Sequence, residues 1–117
     1  MKFEETGLHG KHMTFEVLDE IMDECGFDRA WDYERATYDY KIVDQVDNST
    51  YYFRIPCFVI EGEIPKNSAR VELMKPYVGK HYYPHGVEYD EEFPQKIIDK
   101  CLQKANLVSE KVQAESL

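Results

Sequence analysis

The sequence predicts an α+β domain: an antiparallel meander of four to five strands flanked by an N-terminal and a C-terminal amphipathic helix. Three observations predict it. Apolar residues recur at helical spacing near each end of the chain, the central part switches to a period of two, and the connections between are short and rich in Asn, Asp, Ser, Gly and Pro. Two helices and a strand-rich centre make two layers, each helix burying one apolar stripe against the sheet. At 117 residues there is room for one such domain, placed at residues 1–108, with 109–117 expected as a frayed or disordered tail.

Residues 1–13 lead in without a period and leave room for a short strand. A helix is predicted over residues 14–25. Thr14 serves as N-cap, Phe15, Leu18, Ile21, Met22 and Cys25 form the stripe, and Glu16, Asp19, Glu20, Asp23 and Glu24 take the opposite arc. Gly26 supplies a left-handed C-cap. Arg29 to Tyr33 reads as a strand, joined through Glu34-Arg35-Ala36 to Thr37–Ile42, where Tyr38, Tyr40 and Ile42 share a face opposite Thr37, Asp39 and Lys41. After the turn at Asp47-Asn48-Ser49, the nearly unbroken apolar run from Tyr51 to Ile60 suggests burial on both faces, with a kink expected at Pro56. Alternation resumes over Ala69–Met74 with Val71 and Leu73 inward, and Val78–Tyr83 offers a fifth strand ahead of a loop. Pro94 opens the second helix, whose stripe is Ile97, Ile98, Cys101, Leu102 and Ala105. Lys96, Lys100 and Lys104 lie opposite, and the pattern loosens after Asn106.

Charge and composition exclude several functions. Against 23 acids stand 14 Lys plus Arg, a net charge of -9 that a phosphate backbone would repel, so no nucleic-acid partner is expected. The excess is concentrated: Met1 to Ala36 holds 10 acids and 4 bases, leaving 13 and 10 for the remainder. No apolar run approaches the ~18 residues of a membrane span. The first residues, Met1-Lys2-Phe3-Glu4-Glu5, are acidic where an export signal is basic and then apolar. Three cysteines, Cys25, Cys57 and Cys101, without C-x-x-C spacing, fit buried thiols in a reducing compartment, and a cytoplasmic location is expected.

Trp31-Asp32-Tyr33, Tyr38-Asp39-Tyr40-Lys41-Ile42, Tyr52-Phe53-Arg54-Ile55-Pro56 and Gly62-Glu63 recur in similar order, with Val71, Leu73, Pro76, His81 and Gly86, in the YugN-like family of bacilli and their relatives. The chain resembles that family over residues 28–90, with a helix at each end in the expected place. The resemblance implies a cytoplasmic bacterial α+β domain and supplies no catalytic residue.

The residues themselves carry no catalytic signature, and no cofactor motif is read. His81 and His85 are four apart, but Pro84 and Gly86 disfavour a helix, and on a strand the rings would stand about 13 Å apart, too far for one ion at roughly 2.1 Å. Only a loop fold would bring them together, so they are weak metal candidates. Asp32 and Asp39 flank a hairpin and have the residue types of a general acid and base pair, or are polar alternates of half-buried strands. Cys57 lies in an apolar run that disfavours its thiolate. Arg54 is a lone cation among aromatics. It wants a cross-strand carboxylate, Asp39 or Glu72, or else anchors an anionic ligand. The candidate ligand residues are therefore Trp31, Tyr38, Tyr40, Phe53, Arg54 and His81, the first five around a pocket between sheet and helices.

Two helices leave one sheet face without cover, and nine tyrosines, six phenylalanines and one tryptophan make that face aromatic. A non-enzymatic homodimeric interaction domain is the first expectation. A domain for a small anionic ligand is the second, and a metal-dependent enzyme using His81 and His85 the third.

Overall fold

In the computed structural model, which describes residues 1–82 and 86–116, the first helix forms where the stripe predicts it, α1 at Phe15–Glu24. Thr14 ends a short strand, β1 (His12–Thr14), in extended backbone, and its hydroxyl accepts the Val17 N–H at 3.4 Å. At the other end Gly26 takes φ 85°, and Lys104 from the last helix donates to the Cys25 carbonyl at 2.6 Å, a cation set where the helix dipole is negative.

Strands β2 (Asp28–Trp31), β3 (Arg35–Val43), β4 (Thr50–Glu61) and β5 (Arg70–Leu73) pair antiparallel in sequence order, the predicted meander. β2 stops at Trp31 rather than Tyr33. The Asp32 carboxylate accepts the N–H groups of Glu34 and Arg35, both at 2.8 Å, and folds the turn one step early. Beyond β5 the order departs from a meander: β1 adds to the free edge of β5, and β6 (Tyr77–Tyr82) returns to β4. The twelve-residue β4 makes this possible, since its edge serves β6 over Thr50–Arg54 and β5 from Cys57 onward. β7 (Gly86–Glu88), unforeseen in the sequence, pairs with β6 and brings the sheet to seven strands among the described residues.

The kink expected at Pro56 is absent. Pairing with β3 runs through Thr37↔Pro56 unbroken, and the irregularity falls between Val59 and Glu61. The Pro56 carbonyl accepts from Met74 N at 2.9 Å, so the side that lacks an N–H faces the junction where β6 gives way to β5. The reciprocal bond of that pair, which proline cannot donate, falls at the end of the β4–β5 ladder, beyond its last register pair Cys57↔Leu73.

Burial on both faces of β4 is also not what forms. Tyr51, Phe53, Ile55 and Cys57 are buried, while Tyr52, Arg54, Pro56 and Phe58 are half-buried. Their register partners Ala36, Tyr38 and Ile42 are buried with them. Both helices lie on this inward face: Tyr38 donates its hydroxyl to Asp19 of α1 at 3.2 Å, and the Lys104 ammonium of α2 (Gln95–Glu115) stands 4.4 Å from the Tyr40 ring centre. The tail expected to fray at 109–117 is instead helical to Glu115. Val108 and Val112 carry the Ile97, Cys101, Ala105 stripe two turns further and are fully buried. Among the described residues no helix is long and apolar enough to cross a membrane.

Candidate functional site

Strand alternation puts the other residues of β3 and β4 on the outward face, which no helix among the described residues covers. The register aligns them in rows across the sheet: Arg35 with Phe58, Thr37 with Pro56, Asp39 with Arg54, Lys41 with Tyr52, and Val43 with Thr50. The Asp39 row extends through Asp28 on β2 and Tyr77 on β6.

Arg54 is the centre of this face. Its Nε lies 3.2 Å from Oδ1 of Asp39, an ion contact without hydrogen-bond alignment, so both solvent-excluded atoms lack an aligned partner. Its Nη1 donates to the Tyr89 hydroxyl, and its guanidinium sits 5.3 Å from the Tyr52 ring centre. Burial pushes the Asp39 carboxyl up, partly offset by Arg54. Burial likewise raises the Tyr77 hydroxyl, whose ring meets Tyr89 edge to face at 5.3 Å.

Tyr89 reaches Arg54 because Gly79 leaves room. A Cβ at Gly79 would fall 2.4 Å from Val87 and 2.6 Å from the Tyr89 ring. A glycine inside a strand marks such a close approach. Beyond it, His81 packs edge-on against Tyr52 at 6.0 Å, and His12 pairs with Glu72 at 2.6 Å.

The six candidate ligand residues do not share one pocket. Tyr38 and Phe53 are core residues, 1% and 0% exposed. Tyr40 lies on their side, between Phe27 and Lys104. Trp31 stands on the β2 edge, 42% exposed, with the Arg29 guanidinium 5.9 Å from its ring centre. Arg54 and His81 face the other way. The predicted grouping joined Phe53 to Arg54, neighbours in sequence that a strand must point to opposite faces. Of the two carboxylates expected for Arg54, the structure supplies Asp39, while Glu72 pairs with His12. Tyr77, Tyr89 and Gly79 were missed, and only Gly79, an isolated glycine in a strand, gave a signal.

His85 lies outside the described residues, and among those described no three His, Cys, Asp or Glu side chains gather as a metal site. Asp32 and Asp39 do not face each other, since Asp39 pairs in register with Asp28 while Asp32 closes the turn. Two backbone N–H bonds hold the Asp32 carboxyl low. Burial pushes the Cys57 and Cys101 thiols up to about 12, which leaves them unreactive near neutral pH.

The profile of the YugN-like family matches residues 4–107. The uncharacterized protein YlbA of Bacillus subtilis is 45% identical over 104 residues, 86% of this chain and 85% of its own. The crystal structure of the uncharacterized conserved protein YugN from Geobacillus kaustophilus superposes with a TM-score of 0.84 at 40% identity, covering 97% of this chain and 96% of that one. With a family match across nearly its whole length and the same α+β architecture in a solved relative, this chain belongs to the YugN-like family.

Proposed function

We propose that the chain is a non-enzymatic interaction domain of the bacterial cytosol, working as a homodimer through the outward face of its sheet. One observation carries this reading: a half-buried aromatic face, with Tyr52, Phe58, Tyr77 and Tyr89, that balances its charge on a strongly acidic chain. Asp28, Asp39, Glu61 and Glu72 oppose Arg35, Lys41, Arg54 and Arg70 at the outward positions, so the face is neutral while the chain carries -9. A second copy approaching elsewhere meets the acidic surplus, whereas here it meets none. The side chains with catalytic potential have structural employment: the thiols are buried, Asp32 closes a turn and Asp39 neutralises Arg54. Arg54 in turn gives its charge to Asp39 and an N–H to Tyr89, which weakens the case for an anionic ligand there. Three free thiols suit a reducing compartment.

Light scattering on the purified chain at tens of micromolar tests the proposal. A particle of twice the 13.8 kDa chain mass is expected. A monomer at that concentration overturns it.

A further inference from the structure

The outward face is complementary to itself, and the register says how. We infer that two copies pack face to face about a two-fold axis running along the seam between β3 and β4, with Asp39 of each set against the partner's Arg54. This rests on the homodimer reading above and adds its geometry.

A two-fold axis parallel to the strands and lying over that seam exchanges β3 for β4 while leaving position along the strands unchanged. Each register partner within one chain thereby becomes a facing partner between copies. Asp39 meets the partner's Arg54, and Lys41 meets the partner's Tyr52. Arg35 meets the partner's Phe58, and Asp28 meets the partner's Tyr77. Within these four rows no like charges face each other, and both lysine and arginine find an aromatic ring.

Two further observations favour this axis. Oδ1 of Asp39 and Nε of Arg54 are shut off from solvent without an aligned hydrogen bond in the single chain, while the two side chains retain 26% and 23% of their surface. A second copy turns the pair into a four-group ring in which each charge has two opposite neighbours, a better environment for charges losing water. The relief of the face also matches itself. Tyr89, seated over Gly79 and against Tyr77, raises the β6 side, and the axis sets that ridge over the start of the partner's β2, where the outward residue is the small Asp28. Nine residues of β3 and of β4, with β6 and β5 beside them and the four residues of β2, give at roughly 4.8 Å between strands and 3.4 Å per residue a face of about 500 Å² in projection, on the scale of the roughly 800 Å² of accessible surface per partner in a standard interface.

The test mixes two full-length variants, Asp39→Arg and Arg54→Asp, and weighs the dimers by native mass spectrometry. Each variant alone puts like charges within its own pair and across the axis. The mixed dimer alone sets every substituted group against an opposite charge on the partner, although the pair inside each chain stays broken. The mixed species is expected at about tenfold or more over its statistical share, a difference of about 1.4 kcal/mol. A statistical mixture overturns the axis. Should either variant lose its circular dichroism, Asp28→Cys and Tyr77→Cys chains replace them with a short bismaleimide spanning the roughly 10 Å between packed sheets, because the axis stacks these two positions while it holds two copies of either one about three strand spacings, roughly 14 Å, apart sideways. The native thiols are at most 2% exposed and do not compete. Mixed cross-links are then expected about tenfold faster than self cross-links of either variant, and equal rates overturn the axis. Light scattering on the unsubstituted chain separates the two proposals: a dimer without preferential mixing removes only the axis, whereas a monomer removes both.

Discussion

Gly79→Ala tests how the outward face is built. The added methyl would stand 2.4 Å from Cγ1 of Val87 and 2.6 and 2.7 Å from two atoms of the Tyr89 ring, distances at which β7 must lift or the β6 backbone must move. Gly79 pairs with Tyr52 of the central β4, so the backbone is the harder to shift, and the strain falls on Val87 and Tyr89. Overpacking of this kind costs about 1–3 kcal/mol. For a chain of this size that is a fall of roughly 5–15 °C in the midpoint of thermal unfolding, followed by circular dichroism at neutral pH. Tyr89→Ala removes two of the three clashing atoms, together with the hydroxyl that accepts from Arg54. The double variant should therefore lose less than the sum of the singles, by about 1 kcal/mol. A Gly79→Ala chain that melts within about 1 °C of the parent would refute the seating of Tyr89 over β6, and with it the ridge on which the two-fold packing relies.

Two other perturbations probe the inward side. Asp44 accepts from Val46 N at 3.0 Å and from Lys96 Nζ at 2.9 Å, tying the β3–β4 turn to α2, and Lys96 holds its carboxyl below the usual value. Because the folded-state value is lowered, the stabilisation is present above the unfolded value of about 4 and is lost as the pH falls through the folded one. Asp44→Asn should melt lower at pH 7 and converge with the parent once the pH lies below the folded-state value, and a gap that persists in strong acid would contradict this origin. Val112→Ala removes two methyl groups from a fully buried site in the last turns of α2 and should cost about 2 kcal/mol by denaturant unfolding. No change in the unfolding midpoint would mean that these turns do not pack.

The fold class was legible because it rests on periodicity, which is local. Phe15, Leu18, Ile21 and Met22 announce α1, and Tyr38, Tyr40 and Ile42 announce β3, without knowledge of any partner. The return of β6 to β4 was not legible, because it depends on β4 being long enough to serve two strands on one edge, a fact of tertiary pairing. The tail was misread for a different reason. Val108 and Val112 continue the stripe, but the polar residues between them dilute it, and only burial against the rest of the core distinguishes it from a frayed end. In the candidate site, the Arg54–Asp39 pair followed from the rule that a strand cation seeks a cross-strand carboxylate. Tyr89 did not follow, since its approach is set by a glycine ten residues earlier and by the path of β7.

The residues on the outward face also explain why an arginine and an aspartate stand where valines would give a stickier surface. An all-apolar sheet face binds any other apolar face, in any register, and invites aggregation. Tyrosines keep a polar tip on an apolar body, and a charge pair at the centre raises the cost of every docking that leaves either charge unmatched. Asp39 and Arg54, half-buried in one row, therefore select by penalty: a surface lacking their complement strands a half-buried charge. A second copy turned about the β3–β4 seam carries that complement by construction, because within one chain the same groups already stand opposite each other. Selectivity for self then needs no contact beyond the register of two neighbouring strands.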